Sequence, residues 1–523
     1  MYPNQLFSSI GAIQWPGGCA ALGYNWTPPN PSNAVGTDRF LEFCQLTGAE
    51  PIICGSHLTS WVPKNVAWLK HIDSTTARLG MDSLKWFKVG NEVWGGCGYA
   101  MDSIKYCDTF DAHYNALHAI RSSLKFEACS QNEDRGYASV SGWFTRIIRT
   151  LGTRMDGVEY HDYVFHPGDI PSGTFTEQQY WHIMHDGMVG DFAGHMRTNV
   201  IPVLNTADPG KRIKLIVDEW GDWLQGVNWM QTITLMDAQS AANQLHLMMG
   251  WSDRIGVACM AQGINVIHSL MNIRESDQVM IKTPTFYIFK MFKPHHENGA
   301  KWAPQTASNI QTIAVNSYST GTVTLPVMTV GSTVDNNGRV NISVNNIDLT
   351  TSRQITITLT SNASQYGIDS AQIITGPAMN SNNPFGGPEV VNLQNFGATN
   401  YSLTNNGKTL TATLPPRSIV MFRLNPLIAV QPVNPQGKGS DAFSIKAGPR
   451  GTVLITSSVS RKTPVTVSLY GIDGRTLLDR VSRTFEPGSG ACVLGNNAAG
   501  NGAFIVRITG KDINLTEKVL AVR

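Results

Sequence analysis

Residues 84–98 read LKWFKVGNEVWGGCG. The apolar run from Trp86 to Gly90 has the composition of a short buried strand, and the glycine that ends it turns the chain sharply into Asn91 and Glu92. A second stretch, 213–223, repeats the arrangement: IKLIV runs into Asp218-Glu219 and then into Trp220 and Trp223. Carboxyl groups at the C-terminal ends of different strands mark a parallel barrel whose loops carry the chemistry. Further strand candidates lie on both sides, at Ala12–Trp15, Pro51–Gly55, Phe126–Ser130, Gly157–His161 and Val257–Gln262. Amphipathic helices are predicted over Asp38–Thr47 and Thr109–Leu124. This alternation over residues 1–302 predicts an α/β fold of the (β/α)8 TIM-barrel type. No GxGxxG opens a helix after a strand, so a dinucleotide site is not indicated.

Composition changes near residue 300. All 13 Trp and all 13 His precede residue 303. From 303 to 425 the pattern has period two (TVTLPVMTV, VNISVNNIDL, ITITLTS, TLTATL, SIVMFRL), which predicts an antiparallel β-sandwich. Residues 426–440 are rich in Pro, Gly and Gln and read as a linker. Residues 441–523 predict a second small all-β domain. Lys+Arg 40 against Asp+Glu 38 leaves a net charge of +2, with no basic stripe for nucleic acid. No apolar run is long enough for a transmembrane helix. The eight cysteines form no CxxC pair, and Cys54, Cys129 and Cys259 sit in apolar strands as small hydrophobes. A disulfide among the others stays open, and nothing in the sequence decides a homo-oligomer.

Two glutamates at strand ends can face each other across a barrel mouth. Glycoside hydrolysis needs such a pair: one carboxyl protonates the leaving oxygen, and the other attacks the anomeric carbon or activates water. No cofactor or metal is required. Trp86 and Trp94 beside Glu92 would raise its pKa by desolvation, as a general acid requires. Read alone, each stretch also fits a solvated strand-end glutamate or an acidic pair capping the next helix. His161 reads as a buried structural group, and His295-His296 as an exposed helix end rather than a metal site.

VGNEVWGGCG followed by VDEWGDW resembles glycoside hydrolase family 51, best known for α-L-arabinofuranosidases. QWPGGCAALGYNW (14–26), VGTDRFLEFCQLTGAEPII (35–53), DGVEYHDY (156–163), AQGINVIHSL (261–270), TPTFYIFKMFKPH (283–295) and LPPRSIVMFRL (414–424) are similar to that family's motifs in order. The resemblance spans residues 10–425. It implies a retaining double displacement with Glu92 as acid/base and Glu219 as nucleophile. It also implies Asn91 on the sugar's 2-hydroxyl, Tyr163 hydrogen-bonded to the nucleophile, and Cys19 and Gln262 lining the subsite of the non-reducing sugar. Trp94 is a further substrate-binding candidate.

The sequence departs from the family in three places. Gln14 replaces an arginine that supports the nucleophile's charge, and Asp162 replaces an aromatic. The family's first barrel strand, which carries a substrate-binding Glu ahead of the PGG strand, and its N-terminal strand into the sandwich are both absent, so the barrel is expected to have at most seven of eight strands, with a gap beside the PGG strand, as in a truncated gene product. Residues 441–523 resemble the C-terminal sorting domains of type IX secretion, which implies a secreted or cell-surface bacterial protein and a secretion machinery as partner. No signal peptide is visible. The expected activity is removal of arabinofuranosyl residues from arabinose-containing polysaccharides or oligosaccharides of hemicellulose or pectin. An endo-β-1,4-glucanase or xylanase with an open cleft lined by Trp61, Trp94 and Trp223 is the alternative enzyme. An inactive carbohydrate-binding protein is the alternative of a different class.

Overall fold

A computed structural model of the chain describes residues 10–27, 35–97, 101–130, 142–226, 230–360, 365–427, 442–447, 453–471, 477–494, 502–511 and 513–521. The chain forms two compact units, Met1–Leu427 and Ile428–Arg523. Most of the stretch read as a linker lies outside the described residues. No helix among the described residues is long and apolar enough to cross a membrane.

In the first unit, seven parallel strands form one sheet in sequence order: β1 (Ala12–Trp15), β2 (Glu50–Gly55), β3 (Trp86–Val89), β4 (Lys125–Ala128), β5 (Gly157–Pro171), β6 (Lys214–Gln225) and β7 (Ile255–Ala258). The sheet curls into a near-closed barrel with helices outside it. Among the described residues β1 and β7 are its edges, so the seven-strand expectation and the gap beside the PGG segment both hold. Helices α1 (Gly36–Thr47), α2 (Val62–Arg78), α3 (Ser103–His118), α4 (Trp143–Leu151), α5 (Glu177–Met188), α6 (Leu235–Met249) and α7 (Pro284–Phe292) pack their apolar faces into one continuous core with the strands. The start of α3 is set by Asp102, whose carboxylate accepts from the Ile104 and Lys105 amides. The helix therefore begins six residues earlier than periodicity suggests.

Strands β5 and β6 run well past the predicted ends at His161 and Asp218. They stay paired up to Leu224, with His161 opposite Glu219 and Tyr163 opposite Gly221. The Asp222 carboxylate ties this extension to α6, accepting from Ser240 Oγ at 2.6 Å and Gln244 Nε2 at 3.0 Å.

The predicted antiparallel sandwich completes the first unit. The strand Val340–Asn346 is buried on both faces. Val340, Ile342 and Val344 fill the sandwich core. The alternate side chains face the barrel helices. Asn345 bonds Gln239 and Asn243 of α6, and Ser343 bonds His246 and His295. His295 is thus buried, which corrects the exposed helix end read from sequence: the sandwich covers it, and Thr333 and Ser343 take both ring nitrogens.

The second unit has a three-stranded sheet (Ala442–Ala447, Val453–Val459, Gly488–Leu494) and a four-stranded one (Leu477–Phe485, Thr463–Gly471, Gly502–Gly510, Ile513–Ala521), packed around their own apolar cluster.

Candidate active site

Glu92 stands on the turn after β3. Gly90 has φ +85° and Glu92 itself φ +47°, a left-handed conformation that is unfavourable for a residue with a Cβ and concentrates at functional sites. The turn is held from outside where Val93 N–H meets Cys129 Sγ, and from within where Gly95 N–H donates to Glu92 O. Gly96 packs directly on the carboxylate. A Cβ there would fall 2.2 Å from Glu92 Oε2 and 2.9 Å from the Trp94 ring, so the close approach requires glycine.

Glu219 lies within β6, and its neighbour across the strand pair is His161. His161 Nδ1 is 2.7 Å from Glu92 Oε1 and 3.5 Å from Glu219 Oε2. Oxygens of the two glutamates and this nitrogen all lie within 4.8 Å of one another. Tyr163 donates its phenol O–H to Glu219 Oε2 at 2.6 Å. The imidazole that the sequence suggests is structural therefore stands between the two carboxylates.

Beneath the pair lies a buried layer of charge. Lys88 (β3), Glu127 (β4), Glu159 (β5) and Asp218 (β6) point into the barrel and are shut off from solvent. Lys88 Nζ contacts Glu159 Oε2 at 2.6 Å, forms an ion pair with Asp218, and donates to Asn91 Oδ1 at 3.0 Å. His161 Nε2 reaches Asp218 Oδ1 at 3.2 Å. Lys88 and Glu159 lie inside stretches quoted above and Glu127 inside a strand candidate, but none of the three was singled out as a site residue. Their signal is a charged residue at the inward position of an apolar strand, in WFKV, KFEA and GVEY.

Burial disfavours charge throughout, and the neighbours decide the outcome. Burial opposes a charge on His161, yet Glu219, Glu159 and Asp218 outweigh it and hold the imidazole well above its ordinary range. Burial also opposes ionisation of Asp218, but Lys88 and His161 pull its carboxyl down. Glu127 is pushed well up by burial and by Asp218. Glu92 is lowered, because the bond and charge of His161 exceed its desolvation. Burial lifts Glu219 to about 7, despite His161 and Tyr163, and Glu92 adds to the rise.

The remaining predicted residues are placed as follows. Asn91 is fully buried between Lys88 and Cys97, with Nδ2 3.6 Å from Cys97 Sγ. Cys19, on the turn after the PGG segment, forms a disulfide with Cys97, whose sulfur is 3.8 Å from Glu92 Oε2. Trp94 is 3% exposed and belongs to the barrel core, with its ring close to Gly96. Gln262 lies half-buried in the segment that follows β7, the strand next to that of Glu219. Gln14 is partly buried in β1, and the cation nearest the carboxylate floor is Lys88 instead.

Residues 218–418 match the α-L-arabinofuranosidase C-terminal domain family. An intracellular exo-α-L-arabinofuranosidase of Bacteroides ovatus is 28% identical over 456 residues, covering 80% of this chain and 84% of the relative. A family-51 arabinofuranosidase structure from Xanthomonas axonopodis superposes with a TM-score of 0.67 at 25% identity, covering 80% of this chain and 88% of that one. A family-51 α-L-arabinofuranosidase from Bifidobacterium longum shares the fold with a TM-score of 0.67 at 21% identity, over 80% of this chain and 89% of that one.

The buried cation yields a stability test. Lys88→Met leaves Glu159 and Asp218 without their shared partner and is expected to cost about 3–5 kcal/mol, read from urea denaturation. Adding Asp218→Asn should recover part of that loss. A Lys88→Met protein as stable as its parent would show that the floor does not depend on this charge.

Proposed function

We propose that this chain, which has a glycoside hydrolase family 51-like arabinofuranosidase fold, removes α-L-arabinofuranosyl residues from hemicellulose or pectin side chains by retaining double displacement. The observation that carries the reading is the closeness of Glu92 and Glu219, with oxygens inside 4.8 Å. Retaining enzymes hold their carboxyl groups about 5–5.5 Å apart, whereas inverting ones need roughly 6.5–9.5 Å to admit a water. Glu219, fixed by Tyr163, attacks the anomeric carbon and forms the glycosyl-enzyme ester. Glu92 gives its proton to the departing glycosidic oxygen, then takes one from the water that cleaves the ester.

In the site as it stands, the bond and charge of His161 lower Glu92 against its desolvation, and burial raises Glu219. His161 Nδ1, 2.7 Å from Glu92 Oε1 and 3.5 Å from Glu219 Oε2, couples the ionisation of the two carboxyl groups. The chain is read as exo-acting, since burial of Trp94 removes one of the three aromatic platforms that an endo-glucanase or xylanase cleft would use. The C-terminal unit is read as a sorting domain that sends the enzyme outside a bacterial cell.

Three measurements test these readings. Glu92→Ala should lose turnover of arabinan but keep part of it on p-nitrophenyl arabinofuranoside, with azide restoring rate, while Glu219→Ala loses both. Equal losses on both substrates would sink the role assignment, and activity on carboxymethylcellulose alone would favour the endo reading. Because the nucleophile must be ionised and Glu219 sits at about 7, kcat/KM should fall as pH drops through that value. A flat profile from pH 5 to 8 contradicts this. Export is checked by fractionating cells that make the chain with and without residues 441–523, and unchanged distribution would count against a sorting role.

A further inference from the structure

On the extension of β5, three residues beyond Tyr163, His166 turns its ring toward α5. There it meets Asp186, with His166 Nε2 3.0 Å from Asp186 Oδ2. One turn earlier on the same helix, His182 points its Nε2 at the same oxygen from 3.7 Å. These three atoms lie within 4.8 Å of one another, and His182 and Asp186 are buried.

Four other groupings of this kind occur among the described residues. Three belong to the carboxylate pair or its floor. The fourth, Asp222, Asp237 and His268, is consumed by its own hydrogen bonds to Ser240, Gln244, Thr234 and Thr285. The His166–His182–Asp186 group stands apart from the carboxylate pair and its floor, and inside it the 3.7 Å gap is too long for a hydrogen bond. Ligands of a common tetrahedral ion with bonds of roughly 2.0–2.1 Å stand about 3.3 Å apart, and the two gaps here bracket that spacing.

The surroundings are those of a ligand set. A ligating imidazole usually donates its other N–H to a fixed acceptor, and a ligating carboxylate is held through its second oxygen. His182 Nδ1 is 3.3 Å from Ser317 Oγ, and Asp186 Oδ1 is 3.1 Å from His185 Nδ1. Ser319 Oγ, 3.3 Å from His182 Nε2, stands where a fourth ligand or its water would sit.

We propose that His166, His182 and Asp186 form a binding site for a divalent transition metal of the zinc class. Two imidazoles and one carboxylate suit Zn2+ and its neighbours, not the all-oxygen preference of Ca2+ or Mg2+. The ion would join three parts of the first unit: the extension of β5, helix α5, and the turn from Ser317 to Thr320 at the edge of the sandwich. Its role is to fasten that extension, which also carries His161 and Tyr163, and not to take part in glycoside cleavage.

The test uses the full chain, stripped with a chelator and titrated with Zn2+ against a chromophoric competitor. One tight equivalent is expected, with a higher melting temperature that the chelator reverses. Glu92→Gln/Glu219→Gln should keep that equivalent, separating it from the carboxylate pair. His166→Ala and Asp186→Asn should lose it, and His185→Ala should weaken it by about 10–100-fold. In the unaltered protein, Zn2+ should protect His166 and His182 from acylation by diethyl pyrocarbonate, mapped by mass spectrometry, so the result does not hang on variants that fail to fold. No saturable Zn2+ binding, equal binding in His166→Ala, or unprotected histidines would each overturn the site.

Discussion

A lysine in the middle of a barrel has no water to shed its charge into. Lys88 is tolerable only because Glu159 and Asp218 face it and Asn91 accepts from it. Those partners come from strands β5 and β6 and from the turn after β3, so the ion pairs fix the relative heights of the elements that carry His161, Glu219 and Glu92. The same cluster sets their electrostatics. Asp218 is held ionised by Lys88 and in turn helps hold His161 protonated. The imidazolium then reaches up to both glutamates. A site with the carboxylates but without the floor would keep its inventory of groups and lose the order in which they ionise.

Much of the fold was legible because it rests on short-range patterning. Strand β1 has the bounds that its sequence suggests, and the period-two runs after residue 303 coincide with strands because the sandwich buries alternate side chains. The differences share one cause, which is tertiary pairing overriding local pattern. Strands β5 and β6 continue beyond their apolar runs because each supplies the other's hydrogen bonds through polar and aromatic residues that no strand template favours. Strand β7 ends at Ala258, before the apolar-polar mixture at 259–262 that also reads as strand. Helix α3 is displaced because a capping carboxylate decides where it starts, and an amphipathic window locates ends poorly.

The site was legible to a different depth. Glu92, Glu219 and Tyr163 come together as their motifs imply, since each motif ties a side chain to the end of a particular strand. The roles of Lys88 and His161 were not visible, because they depend on which inward positions share a level in the barrel, and that is a property of register between strands distant in sequence. Trp94 illustrates the converse: an aromatic beside Glu92 suggests a sugar platform, whereas packing puts the ring in the barrel core, next to Gly96.

The bridge between Cys19 and Cys97 has a consequence for how the barrel's first edge is kept in place. Strand β1 is four residues long and, among the described residues, pairs with a single neighbour, β2. Its following turn is nevertheless stapled to the loop of Glu92 across a sequence separation of 78. Closing a loop of that length removes unfolded-state entropy worth on the order of 4 kcal/mol in the chain-entropy account. Covalent closure thus does for this edge part of what an adjoining strand does elsewhere, and the integrity of the scaffold becomes tied to an oxidising environment. A protein assembled this way keeps the loop of Glu92 anchored where thiols pair, and in a reducing cell it would have to hold the same loop by packing alone.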